Sequence, residues 1–290
     1  MIVALLIAAV LYFVQRTMYG VMLTPDGHYY LAIGRGEDVP RPYSLRLLPK
    51  VIKSAKSWAY LQLGCYVGSV ALASLCAERL GYSYLLQIAS GLSLAVLPMM
   101  RRTITWTVLL DAPLVFVCLL TAYIALTCGV WVLVALACAS FIHERGPLLA
   151  ALYAAPFVSD TILWSMLVVV VCHALLYAMV YRNQEPHPDE ASIDWLRNPL
   201  DAARRHHAPM LNDWRVWLLP WGGLLVGFAG LGLWGWITVA VCYAGCALSI
   251  DRVRIYQMAV FPVGLGLLAI APVWALPLVV STWFVNTKEI

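Results

Sequence analysis

Charge is what this chain has least of. Its 290 residues hold nineteen Lys and Arg and fifteen Asp and Glu, so 12% are charged while 62% are hydrophobic. Mean hydropathy is +0.81. That balance excludes an ordinary soluble domain, and no nucleic-acid partner is expected. The apolar start, residues 1–14, lacks the positive flank and small-residue cleavage site of a secretory signal, so it reads as a first membrane helix. Eight cysteines, at 65, 76, 118, 128, 138, 172, 242 and 246, lie in or beside apolar runs without paired Cys-x-x-Cys spacing, and read as small core residues. The histidines at 28, 143, 173, 187, 206 and 207 show no ligand spacing, so no metal and no cofactor is expected. No internal repeat is evident.

What the chain does have is apolar runs, near 2–15, 57–76, 83–100, 104–127, 130–142, 161–181, 216–236, 237–249 and 255–285, with a shorter one at 147–158. A full crossing needs about 17 to 25 residues, and several runs are shorter. The expected fold is all-α: a single transmembrane domain over 1–290, a polytopic helical bundle of about eight to ten spans with broken or re-entrant helices. Twelve Trp and fifteen Tyr suit belts at two interfaces.

Two polar connections are long. The first, 15–56, ends in a stretch where Leu45, Leu48, Ile52 and Ala55 oppose Arg46, Lys50, Lys53 and Lys56, the pattern of a helix in the headgroup plane. The second, 182–215, carries four prolines and the pair His206-His207, with a short helix expected around 190–205. Alternating the runs across a membrane brings every charged cluster to one face. All of the nineteen cations fall there except Arg79 and the unassigned Lys288. By the positive-inside rule that face is cytoplasmic; alternatively the cations are held there by an anionic ligand such as a lipid phosphate.

The candidate site residues come from these clusters. Asp26, in Leu23-Thr24-Pro25-Asp26-Gly27, is either a turn residue or a general base whose pKa a partly dry pocket would raise. Arg41, Tyr43 and Arg46 lie among prolines, where the arginines would clamp a phosphate or snorkel to headgroups. Asp111 falls seven residues into the 104–127 run, so about 10 Å below its start, with Arg101 or Arg102 as possible partners. His143-Glu144-Arg145 precedes Gly146-Pro147, which forces a break at the mouth of a helix. Glu144 orients an acceptor or pairs with Arg145. Asp251, Arg252 and Arg254 open the last run, as a second phosphate clamp or as charges fixing a helix end.

Taken in order, these residues resemble the GT-C fold membrane glycosyltransferases that use a polyprenyl-phosphate sugar. The matching pieces are Asp26-Gly27-x-x-Tyr30, Pro42-Tyr43-x-x-Arg46-x-Leu48-Pro49, Leu110-Asp111-x-Pro113, Glu144 at the family's Lys-Glu-Thr-like break, and Asp251-x-x-Arg254 with Pro262. His143 stands where the family has Lys, and the chain carries no large soluble domain after its membrane part. The resemblance implies inverting sugar transfer to a hydroxyl on a glycan, lipid or protein. Asp26 would be the base, Glu144 its support, Asp111 part of the same cavity, and Arg46, Arg252 or Arg254 the phosphate contacts. It also implies a plasma-membrane protein with its site on the non-cytoplasmic face. A lipid or solute transporter without chemistry, or a scaffold subunit, are the competing readings.

Overall fold

The computed structural model describes residues 2–39, 45–106, 108–183, 201, 204, 218–246 and 256–285. Among them every regular element is helical, and the single β-type contact is an isolated bridge between Met22 and Trp106. Four helical segments are long and apolar enough to cross a membrane, or five if a bent pair counts as one span. The remaining apolar runs make four shorter helices of 10–17 residues. Full-length spans among the described residues are thus fewer than the eight to ten expected for the chain. The apolar runs are broken by Pro and Gly, which cut them below crossing length.

Chain contacts gather the described residues into two compact units. The first holds 2–12, 73–102 and the described residues beyond 200; the second holds 13–72 and 103–183. From the N-terminus the helices are α1 (Ile2–Tyr19), α2 (Pro25–Gly34), α3 (Leu48–Val51), α4 (Ala55–Arg79), α5 (Tyr84–Val96) and α6 (Pro98–Thr105). Then come α7 (Asp111–Cys128), α8 (Val132–Ser140), α9 (Gly146–Ala154), α10 (Asp160–Asn183), a 3-10 stretch Leu219–Gly230, α11 (Leu233–Cys246), α12 (Val260–Ile270) and α13 (Ala275–Thr282).

In the first unit the backbone is repeatedly broken, and the breaks near Pro98 and at 220–224 are tied off by side chains. α5 and α6 bend by 57° at Pro98, and the next free amide, Met99 N–H, donates to Gln257 Oε1 at 2.8 Å. The same Gln257 donates through Nε2 to Pro220 O at 2.8 Å, so one fully buried amide joins two breaks. At Gly222, whose φ is +51°, the 3-10 stretch is interrupted. Thr282 Oγ1 donates to Trp221 O at 3.2 Å and accepts from Leu224 N–H at 3.3 Å. Freed polar groups in an apolar unit must be satisfied internally, and here they are.

In the second unit the stretch 111–140 is a continuous apolar segment of 30 residues. A straight helix of that length would span about 45 Å. Instead the chain turns at Gly129, φ +27°, and α8 packs back on α7 while α9 covers both. Gly146 permits the tight entry into α9: a Cβ there would lie 2.2 Å from Ala139 O. α10 is the outer helix, with 6% of its apolar window buried against 50% for α4. It packs on α8 and α9.

The first connection departs from expectation at both ends. Pro25-Asp26-Gly27 is not a free turn but the first turn of α2, because Thr24 caps it, accepting from Gly27 N–H at 3.1 Å, and proline at the first position is preset for a helix. The expected interfacial helix shrinks to the four residues of α3. Residues 52–54 leave helical geometry before α4 begins.

A candidate active site on the second unit

Tyr30 is the centre of the polar cluster. It lies one turn beyond Asp26 on α2, is 2% exposed, and sits in an apolar shell with Leu31, Ile33, Val39, Trp58, Val108 and Leu110. The Trp58 ring stacks on it with centroids 5.9 Å apart. Arg46 NH1 donates to its hydroxyl, and the guanidinium carbon lies 5.6 Å from the ring centroid. Burial pushes the Tyr30 hydroxyl far above its ordinary range. Arg46 opposes that, and Asp26, Glu144 and Asp111 add to it. Arg46 thus joins Glu144, 98 residues away in sequence, to one buried hydroxyl, whose electrostatics also feel Asp26, one turn earlier on α2, and Asp111.

Arg46 reaches Glu144 with a bidentate fork: Nε to Oε2 at 3.0 Å and NH2 to Oε1 at 2.9 Å. Both side chains are largely shielded, at 9% and 17% exposure. Burial alone would raise the Glu144 carboxyl, but Arg46 outweighs it, with His143 and Arg145 assisting, and holds it well below the usual carboxylate range. Glu144 is thus a fixed anion rather than a group poised to exchange a proton near neutrality. His143 Nδ1 lies 3.2 Å from both Glu144 Oε2 and the Arg145 amide nitrogen. With a lone pair there the ring accepts from Arg145 N–H; with a proton there it pairs with Glu144. Arg145 is half-buried, and its guanidinium makes no ion pair among the described residues.

Asp111 is placed differently from its expected depth inside a helix. It is the first residue of α7, preceded by non-helical residues 108–110, so the helix dipole favours its charge. The preceding turn is held by Gln62 of α4, whose Nε2 donates to Leu109 O at 3.1 Å. Gln62 Oε1 and Trp58 Nε1, one turn apart on that buried face, find no hydrogen-bond partner among the described residues. Asp26 is half-buried at the opening of α2, and Gly27 beside it is close-packed, a Cβ there falling 3.2 Å from Val108 Cβ and O.

The other expected residues divide. Arg101, 4% exposed and in the first unit, donates to Trp283 O at 2.7 Å and Val285 O at 3.1 Å, with its guanidinium 4.3 Å from the Trp283 ring centroid. It caps the end of α13, a structural use that accounts for its burial. Arg102 follows it, half-buried, on α6. Arg41, Tyr43, Asp251, Arg252 and Arg254 lie outside the described residues, as does nearly all of 182–215. A cleft of about 480 Å³ opens at the far end of α2 from Asp26, lined among others by Arg35, Glu37, Asp38, Lys50 and Lys53.

Sequence reasoning quoted Tyr30 within a motif but gave it no role, and it passed over Trp58, Gln62 and His173. The available signal was a polar residue inside an otherwise apolar run, and for Trp58 and Gln62 the four-residue spacing that places both on one helix face. No protein family, curated protein or solved structure matches this chain.

Proposed function

We propose that this cluster is the active site of an integral membrane glycosyltransferase that moves a sugar, with inversion, from a polyprenyl-phosphate donor to an acceptor hydroxyl. The observation that carries the reading is the shielded ion pair of Arg46 with Glu144, bonded to the buried Tyr30 hydroxyl one turn beyond Asp26 on α2, in a chain that is otherwise poor in charge. Ionisable groups gathered inside an apolar helical protein are costly and by default serve function.

In this reading Asp26 takes the acceptor hydroxyl proton as the oxygen attacks the anomeric carbon from the face opposite the phosphate. The carbon–oxygen bond to phosphate breaks, and polyprenyl phosphate leaves with the electron pair. Asp26 is assigned the base from its place at the opening of α2, half-buried, whereas Glu144 is held in its fork with Arg46. Glu144 then orients Arg46 and Tyr30 rather than carrying protons, a narrower role than support of the acceptor. Arg145, adjacent and without an ion pair among the described residues, is the nearer candidate for the developing phosphate charge. The GT-C likeness, the plasma membrane and the non-cytoplasmic side belong to the same proposal.

The test is transfer of radiolabelled sugar from a panel of polyprenyl-phosphate sugars in proteoliposomes. Wild type should transfer from at least one donor. Asp26→Asn should lose about 10²- to 10⁴-fold, the usual contribution of a general base, with folding intact. Equal transfer by the two proteins removes Asp26 from the mechanism. Lipid movement without transfer favours a transporter.

A further inference from the structure

His173 sits on the outermost helix of the second unit, yet it faces inward. Its Nε2 lies 3.2 Å from the backbone oxygen of Glu144, and its ring centroid lies 6.2 Å from that of Tyr177. A carbonyl oxygen only accepts, so Nε2 carries the hydrogen in this contact. Around it the helix is bare: Val171, Leu175, Leu176, Met179 and Val180 are all exposed. Of residues 171–180 only His173 and Tyr177, one turn apart, are half-buried.

The position along the helix matters as much as the contact. α10 runs from Asp160 to Asn183, so His173 is near its middle, about 20 Å from the start at 1.5 Å per residue. Tilt would change the depth scale but not this fraction. α9 with its short 3-10 extension, Gly146 to Phe157, is about 18 Å long and packs on α10. The loop 141–145, which joins α8 to α9, therefore lies level with the centre of α10. At that depth a loop backbone needs protein partners for its carbonyls, and a histidine on a lipid-facing helix needs a reason.

We infer that His173 is a positioning residue of the site: it pins the Glu144 carbonyl level with the middle of α10 and so fixes where the carboxylate meets Arg46. Its kinetic consequence rests on the function proposed above; its holding role does not. Removing the N–H lets the loop carrying Glu144 and Arg145 shift, and displacement on the scale of an ångström costs a well-oriented site roughly 10- to 100-fold in rate.

His173→Leu removes the donor and His173→Gln retains one. Hydrogen–deuterium exchange on the full chain in nanodiscs should show amides of 141–146 exchanging about tenfold faster in His173→Leu and near wild type in His173→Gln. In proteoliposomes with the polyprenyl-phosphate sugar panel, kcat should fall roughly 10- to 100-fold in His173→Leu with donor KM little changed, and His173→Gln should recover most of it. Unchanged loop exchange in His173→Leu overturns the inference whatever reaction the protein performs. Equal losses in both variants overturn it too, since ring packing would then explain them. Faster exchange with no transfer by wild type leaves the pin standing and defeats the glycosyltransferase reading. Should His173→Leu fail to insert, the ¹⁵N spectrum of the wild-type histidines decides: a neutral His173 protonated at Nε2 supports the contact, and one protonated at Nδ1 removes it.

Discussion

At the scale of the residue, Arg46 and Glu144 carry the most consequence. A carboxylate and a guanidinium removed from water need each other. Arg46→Met should therefore destabilise the second unit by about 3–5 kcal/mol by leaving Glu144 buried and unpaired, whereas Arg46→Met with Glu144→Leu should recover most of that loss. Thermal unfolding in detergent, read for both single variants and the pair, checks this. The pH dependence has a definite sign. Glu144 is depressed in the folded protein, so its stabilisation is fully present above the ordinary carboxylate range and is lost as pH falls below about 4. Wild type should lose stability in that acid window more steeply than Glu144→Gln, and parallel acid unfolding curves would contradict the assignment. Arg46 was legible as a candidate because it stands among prolines in a chain with few charges. Its partner was not, because 98 residues separate Arg46 from Glu144.

At the scale of the element, helix breaks are where sequence and structure part. The prolines and glycines that interrupt the apolar runs are visible in the sequence, and they led to broken helices as an expectation. Which side chain closes each break was not visible, since Gln257 is far from both Met99 and Pro220. Gln257→Leu leaves one buried donor and one buried acceptor unmade and should cost about 2–6 kcal/mol, at about 1–3 for each group. The loss should appear as a lower melting temperature of the full chain. Gly146→Ala is expected to destabilise the α8–α9 hairpin by about 1–3 kcal/mol, because backbone must move to admit the methyl group. The apolar pattern of 104–127 concealed the non-helical residues 108–110, and so placed Asp111 inside a helix that it in fact begins. Hydropathy records burial, not the direction of the chain.

At the scale of the whole molecule, the apolar surface decides the environment. α10 exposes Trp164, Leu167, Val168, Leu175, Leu176 and Met179, apolar surface of the kind that hydrocarbon covers. If α10 crosses the bilayer, Val171→Arg at its centre should disfavour insertion by about 2.5–3.5 kcal/mol, while Thr161→Arg near its end should cost far less. A glycosylation-tag insertion assay on the full chain separates the two, and equal tolerance would argue against a crossing.

The sequence alone determined that the chain is helical and suited to a membrane, because apolar run length and scarcity of charge are local properties that need no fold to read. It also marked Asp26, Arg46, Asp111 and Glu144 as worth attention, since each is an ionisable group in or beside apolar surroundings. Only the tertiary structure decided that Arg46 binds both Glu144 and the Tyr30 hydroxyl, that Arg101 caps α13, and that His173 reaches the loop from an outer helix. The physical reason is that convergence depends on where chain reversals such as Gly129 bring distant segments, and on long-range ion pairs whose partners no local pattern names.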